Sequence, residues 1–82
     1  MKEAPLYTLA AGERATVSAL RARGTMRRRL QDIGVTPGAE IACLGHAPGG
    51  DPAAYRICGA VIAIRRTDAA DVLVYRGARD AQ

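Results

Sequence analysis

Two cysteines and the only histidine are the side chains of this sequence best suited to bind a metal ion. Cys43 and His46 share one segment, and Cys58 follows a turn rich in glycine and proline. If the two segments form a hairpin centred between Gly50 and Asp51, Cys43 and Cys58 lie directly opposite each other. Two facing thiols could bind a transition metal such as iron or zinc. We therefore take Cys43, Cys58 and His46 as a candidate metal site.

This candidate metal site is incomplete by itself. A closed structural zinc site has four ligands. In the same register His46 pairs with Tyr55, and the alternation of side chains along a strand turns His46 away from Cys43. Asp51 is a further candidate ligand, and a site could also form between two chains. The alternative is that both cysteines are inert and pack as small apolar side chains.

Catalytic groups do not occur in a recognisable arrangement. The sequence has one histidine, no Ser-His-Asp set and no paired carboxylates at helical spacing. Its glycines match neither common phosphate-binding pattern, so any nucleotide would belong to a partner. We therefore predict that the protein is not an enzyme.

Arginine side chains cluster between residues 21 and 29. Arg27, Arg28 and Arg29 form a consecutive run close to two further arginines. One interpretation is a solvated helix face. Another is a basic surface for an acidic protein partner, where such charges raise the association rate and its sensitivity to salt. Nucleic acid is a third interpretation, but a net charge of +4 without a motif provides only non-specific attraction.

The composition describes a single small globular domain over residues 1–82. The hydrophobic fraction is 49% and the charged fraction 24%. Three tyrosines are the only aromatic side chains, which is too few for the stacking surface of a single-strand nucleic-acid binder. We see neither a signal peptide nor a membrane-spanning segment. We expect a cytoplasmic protein without a nucleic-acid partner, whose cysteines are thiols.

The strongest helical pattern covers Thr25–Ile33 and must position the arginines. Its apolar stripe has the spacing i, i+4, i+7 and consists of Met26, Leu30 and Ile33. The Thr25 hydroxyl is a candidate N-cap. Gly34 stands where a helix ends in a left-handed residue.

The corner after this helix has two interpretations. Gly34 and Gly38 supply positive φ angles and Pro37 fixes the turn, so the corner is structural. Alternatively, the corner contacts a partner. We include Pro37 in a candidate partner surface with the three consecutive arginines and with Asp51 and Pro52 of the later turn.

Short strand patterns account for most of the remaining chain. The predicted strands are Arg14–Leu20, Glu40–His46, Ala54–Gly59, Ala60–Arg66 and Asp71–Tyr75. In the first of them, Val17 faces one side and Leu20 the other. Helical turns are predicted at residues 6–9 and 67–70, and a loose tail at residues 77–82. About five short strands with regular turns are typical of a small closed β-barrel, which has no exposed edges.

Four segments carry a resemblance to a known family. Arg29–Gly38 reads RLQDIGVTPG and matches a pattern RL-x-x-lG-x-x-pG. Ala47–Pro52 matches aP-x-gdP, Val61–Arg66 matches v-x-ialR, and Pro5–Gly12 matches pL-x-x-L-x-x-G. In this order and at this spacing, the segments resemble the FeoA family, ferrous iron transport protein A.

The resemblance implies a fold and a partner. The fold would be mainly β, an SH3-like small barrel with one short α-helix inserted after the first strand. The function would be that of a cytosolic accessory protein of bacterial ferrous iron uptake. It would dock on the cytosolic part of the FeoB permease, which contains a GTP-binding domain, and modulate transport or the GTPase cycle. The family is not enzymatic, and Cys43 and Cys58 are not among its hallmarks.

Two other functions stay open at this point. The same barrel is the C-terminal domain of metal-dependent repressors of the DtxR type, which allows a transition-metal sensor or buffer that uses Cys43 and Cys58. A basic barrel that binds nucleic acid is the remaining alternative.

Overall fold

Six strands and three short helical segments follow one another in the computed structural model, which describes residues 2–76. The strands are β1 (Glu3–Pro5), β2 (Arg14–Leu20), β3 (Glu40–His46), β4 (Ala53–Ile57), β5 (Ala60–Ile64) and β6 (Val72–Arg76). The helical segments are a 3-10 turn (Leu6–Thr8), α1 (Gly24–Asp32) and α2 (Arg66–Ala69). The predicted loose tail, residues 77–82, lies outside the described residues.

All six strands belong to one antiparallel sheet in the order β1-β6-β2-β3-β4-β5. Within residues 2–76 no ladder joins β1 to β5, so the sheet is not closed into a barrel. The mainly β prediction is confirmed, whereas the closed barrel of about five strands with one helix is wrong. The missed strand, β1, is three residues long and ends in Pro5, which is tolerated at a sheet edge because no ladder donor is needed there.

A register shift in β2 explains one wrong assignment of faces. The pairing of β2 with β6 shifts between Val17 and Ala19. A bulge moves the side chains that follow it to the other face. Val17 and Leu20 are therefore buried in the same core cluster, and the prediction that they face opposite sides is wrong.

The core takes its side chains from the sheet and from the segments that cross it. The largest fully buried side chains are Tyr55, Leu6, Leu9, Ile41, Ile57, Val17, Val35, Val72, Val74 and Cys43. The predicted turn at residues 6–9 is present, because the Leu9 amide donates to the Leu6 carbonyl oxygen over 3.1 Å. This turn lays both leucines against the core.

Helix α1 packs on the core by part of its predicted apolar stripe. Leu30 is 3% exposed, and Met26 and Ile33 are half-buried against the same cluster. The N-cap residue is Arg23, without a side-chain cap, and Thr25 is exposed within the helix. The prediction of a Thr25 cap is therefore wrong.

Gly34 ends the helix and touches another element. Its φ is +104°, and the Val35 amide donates to the Leu30 carbonyl oxygen over 2.9 Å, as in a Schellman motif. A methyl group at Gly34 would overlap the Cys58 Sγ and lie 3.3 Å from the Cys58 Cβ. Gly34 therefore provides both a left-handed backbone and a close approach to the β4–β5 turn.

Candidate functional site

The β3–β4 register does not bring the two cysteines together. Cys43 lies opposite Tyr55, and His46 lies opposite Ala53, with a shift between Cys43 and Gly45. Cys58 follows β4, beyond the last paired residue of that ladder. The predicted pairs Cys43–Cys58 and His46–Tyr55 are therefore wrong, because the turn and the bulge change the register that a symmetric hairpin would have.

The two thiols have opposite environments. Cys43 is fully buried, and burial raises the pKa of its thiol, which keeps it protonated at neutral pH. Cys58 is exposed and lies beside Gly34 with a φ of +51°. The two thiols therefore do not face each other across the β3–β4 ladder.

His46 lies closer to Cys43 than strand alternation predicts. The bulge places the His46 Nε2 3.7 Å from the Cys43 Sγ, so the prediction that the two side chains face apart is wrong. The same Nε2 lies 3.0 Å from the Leu9 carbonyl oxygen. A carbonyl oxygen only accepts hydrogen bonds, so the His46 Nε2 is placed to donate to Leu9. Residues 2–76 contain no group of three or more potential metal ligands.

Two of the predicted partner residues, Arg27 and Asp51, make hydrogen bonds within the fold, and the others are exposed. The Arg27 Nη1 donates to the Leu20 carbonyl oxygen over 2.6 Å, which ties α1 to the end of β2. The Asp51 Oδ1 accepts from the Arg66 amide over 3.0 Å and holds the β3–β4 turn against the start of α2. The remaining candidates are exposed side chains: Arg28, Arg29, Pro37 and Pro52.

An open groove between α1 and β5 includes Arg29 from the arginine run. We call it the α1–β5 groove; its volume is about 650 Å³. It is lined by Met26, Arg29, Leu30, Ile33, Ile62, Ala63, Ile64, Arg65 and Asp68. The apolar stripe of α1 forms one wall, and two guanidinium groups and one carboxylate lie among the lining residues. Sequence reasoning found the α1 wall but missed Ile62, Arg65 and Asp68, which follow about 30 residues later.

A second, smaller cavity lies at the start of β4. We call it the Tyr55 cavity; its volume is about 230 Å³. It is lined by Tyr7, His46, Gly50, Ala53, Tyr55, Ile64 and Arg66. The sequence analysis assigned no role to Tyr7, Tyr55 or Arg66. No local pattern could have revealed them, because residues from the 3-10 turn, β3, β4, β5 and α2 meet only in the folded chain.

The described part of the chain, residues 2–76, has no helix that is long and apolar enough to cross a membrane.

Comparisons with known proteins agree on one family. The FeoA domain family matches residues 4–76. A fusion of Fe(2+) transport protein A with Fe(2+) transporter FeoB from Porphyromonas gingivalis (strain ATCC BAA-308 / W83) is 35% identical over 69 residues. The aligned part is 84% of this chain and 8% of that protein, so this chain spans a small fraction of its relative.

Solved structures show the same fold. The solution structure of FeoA from Chlorobium tepidum has a TM-score of 0.86 at 37% identity and covers 95% of this chain and 74% of that one. The zinc complex of FeoA from Stenotrophomonas maltophilia, an SH3 domain protein, has a TM-score of 0.76 at 27% identity. It covers 84% of this chain and 86% of that one. The fold is therefore SH3-like.

A transcriptional repressor shares the fold at a lower identity. A manganese-dependent repressor has a TM-score of 0.80 at 19% identity, covering 90% of this chain and 41% of that one. This likeness shows the fold alone, since fold does not decide function.

Proposed function

Because this chain belongs to the FeoA domain family, we propose that it is an accessory domain of ferrous iron uptake that docks on the cytosolic part of the FeoB permease. Docking modulates transport or the GTPase cycle of that partner. The observation that carries this proposal is the Porphyromonas gingivalis fusion, in which a related segment is joined to FeoB in one chain. The proposed place of action is the cytoplasm.

The α1–β5 groove is the proposed docking surface. Met26 on α1, Ile33 at the C-cap of α1 and Ile62 on β5 are half-buried in the free domain and keep apolar surface that a partner can cover. Burial of apolar surface is the main favourable contribution to protein association. These side chains surround the buried Leu30, so the groove is continuous with the core and keeps its shape before the partner arrives.

The charges of the groove favour an acidic partner segment. Arg29 and Arg65 contribute two positive charges, and Asp68 contributes one negative charge. The groove therefore fits a FeoB segment with an apolar side chain flanked by carboxylates. Charges at such a rim act chiefly on the association rate and on its dependence on salt.

A binding titration against the cytosolic domain of FeoB tests this proposal. The full chain is titrated at low and at moderate salt, together with Arg29→Gln, Arg65→Gln and the control Arg28→Gln. Arg28 has the same charge and exposure as Arg29 but does not line the groove. We expect both groove variants to associate more slowly at low salt. Their association rate should also depend less on salt, whereas Arg28→Gln behaves as the wild type.

Two outcomes would contradict the proposal. The absence of binding both to the cytosolic domain and to the intact transporter would remove FeoB as the partner. Equal effects of all three arginine variants would keep the partner but exclude the α1–β5 groove as the surface it uses.

A further inference from the structure

The two edges of the sheet are protected to different degrees. Strand β1 is three residues long, begins with the charged Glu3 and ends in Pro5, which has no amide hydrogen. Short length, charge and proline are common features by which an edge strand avoids pairing with another chain. Strand β5 reads AVIAI, is five residues long and contains neither a charge nor a proline. Its ladder with β4 has no register shift. The β5 edge is therefore the one suited to accept a further strand.

The turn between β4 and β5 sets the hydrogen-bond pattern of this edge. Cys58 and Gly59 have positive φ angles of 51° and 79°. They form a two-residue turn between the paired residues Ile57 and Ala60. The pair that flanks such a turn is hydrogen-bonded, and hydrogen-bonded pairs alternate along an antiparallel ladder. The turn therefore determines which residues of β5 bond to β4.

Val61 and Ala63 direct their backbone groups to the free edge. Alternation makes Ile62 and Ile64 the next residues of β5 that bond to β4. The N–H and C=O groups of Val61 and Ala63 point the other way. Among residues 2–76, no strand other than β4 pairs with β5, and no turn or loop amide bonds to it. Both residues are exposed, so β5 presents a row of donors and acceptors to solvent.

The α1–β5 groove lies beside this edge. Ile62, Ala63 and Ile64 line it from β5, and Met26 and Ile33 line it from the other wall. Because side chains alternate along a strand, Ile62 and Ile64 share one face of β5. A strand added to the edge places every second side chain on that face, next to the apolar stripe of α1. The groove therefore offers room for side chains where the edge offers main-chain hydrogen bonds.

We propose that the FeoB segment that docks in the α1–β5 groove is extended and adds a strand to the free edge of β5. This inference rests on the proposed function, because it concerns the same groove and the same partner. In strand addition, main-chain hydrogen bonds supply affinity and alternate side chains supply specificity. Two arginines and one aspartate line the groove, so the segment alternates apolar side chains and carries acidic residues beside them.

Two other occupants fit these features less well. A helix bonds its backbone groups internally, so it would cover the Val61 and Ala63 groups without pairing with them. A second copy of this chain, paired through β5, would bring two grooves with the same excess of positive charge together. An extended acidic segment both pairs with the edge and complements the charge.

Amide hydrogen exchange of the full chain, followed by NMR with and without the cytosolic domain of FeoB, tests this inference. In the free chain the Val61 and Ala63 amides should exchange rapidly, and those of Ile62 and Ile64 slowly. At saturation, exchange at Val61 and Ala63 should slow by at least about tenfold, the size of one net hydrogen bond. Ile62 and Ile64 should stay slow and serve as the internal control. Intermolecular NOEs from the Val61 and Ala63 amide hydrogens to main-chain hydrogens of FeoB distinguish pairing from simple coverage.

Ala63→Pro supplies a second readout. The substitution removes one edge donor, and proline is tolerated on an edge strand where the missing amide hydrogen faces solvent. It should weaken binding of the FeoB domain about tenfold in a calorimetric titration. Ala63→Ser keeps the amide hydrogen and should lose clearly less. If Ala63→Pro does not fold, hydrogen exchange in the wild type decides.

The outcomes separate this inference from the proposed function. If FeoB binds and Ile62→Ala weakens binding, but exchange at Val61 and Ala63 does not change, strand addition is overturned and the docking surface stands. If FeoB does not bind, both are overturned. Slow exchange at Val61 and Ala63 in the chain alone, increasing with its concentration, would assign the edge to a second copy and also overturn the inference.

Discussion

The α1–β5 groove and the Tyr55 cavity differ in how they relate to the hydrophobic core. The groove extends the core, because Met26, Leu30 and Ile33 stabilise the helix and also form its wall. The Tyr55 cavity interrupts the core, because a hydroxyl is buried there without a partner among the described residues. Substitutions in the groove should therefore change binding and stability together, whereas removal of the Tyr55 hydroxyl should leave stability the same or higher.

The largest expected effect comes from the buried member of the groove. Leu30→Ala removes a side chain that is 3% exposed and should lower the free energy of unfolding by about 2–5 kcal/mol. Urea denaturation monitored by circular dichroism measures this change. Met26→Ala, in the half-buried position of the same stripe, serves as the comparison and should cost clearly less. Equal costs at both positions would show that α1 does not pack as described.

The next effect separates backbone strain from a side-chain clash at Gly34. Gly34→Ala places a side chain at a φ of +104° and against the Cys58 Sγ, and should cost about 2–3 kcal/mol. Gly12→Ala has a similar φ of +91° but no neighbouring atom within 4 Å, and should cost about 1–2 kcal/mol.

A double-mutant cycle in urea checks the origin of this difference. Adding Cys58→Ala to Gly34→Ala should recover part of its cost, because the overlapping sulfur is removed. The same substitution should not help Gly12→Ala. If the costs of Gly34→Ala and Cys58→Ala simply add, the two residues do not touch in solution.

Alkaline titration tests the burial of the Tyr55 hydroxyl. Its pKa rises from 10.0 to about 12 on burial, so the unfolded chain loses this proton first as the pH rises. The contribution of this group to the free energy of unfolding is therefore complete below about pH 10 and is lost between about pH 10 and 12. At pH 11 the loss from this group is about 1.4 kcal/mol relative to neutral pH. Urea unfolding of Tyr55→Phe should show a drop smaller by this amount, and an identical drop in both proteins would mean that the hydroxyl ionises freely.

The smallest effect concerns the contact between Glu13 and Arg76, two residues that line neither cavity. The Ala10 amide and Arg76 hydrogen-bond the Glu13 carboxylate and lower its pKa below 4.5. Glu13→Gln should cost less than about 1 kcal/mol at neutral pH, since the pair is partly exposed. This difference should vanish as the pH falls below the lowered pKa, because the carboxylate is then protonated in the wild type as well. Urea unfolding at pH 7 and pH 3 measures it.

Local sequence patterns predicted the parts of the fold that depend on local rules. The bounds of β2 and β3 follow from alternation and turn residues, and Leu30 follows from helical periodicity. The pairing of Cys43 with Cys58 failed because the β3–β4 turn is not centred as predicted and a bulge in β3 adds a further shift of one residue. Patterns within a segment do not encode that shift.

Long-range contacts explain why the candidate sites were less predictable. The α1 wall of the groove was predictable from the helical spacing of its apolar residues. Ile62 lies beside that wall only in the folded chain. The Tyr55 cavity combines residues from Tyr7 to Arg66, which meet only in the folded chain. The family resemblance predicted the SH3-like fold, whereas the open sheet became clear only from the strand pairing.

Calorimetric titration with the cytosolic domain of FeoB tests the central claim most directly when two neighbouring residues of β5 are compared. Ile62 lines the α1–β5 groove, whereas Val61 is 58% exposed and does not line it. We predict that Ile62→Ala weakens binding by about tenfold, within the range for apolar contacts at an interface, and that Val61→Ala binds as the wild type does. Unchanged binding by Ile62→Ala, or an equal loss in Val61→Ala, would contradict docking through this groove.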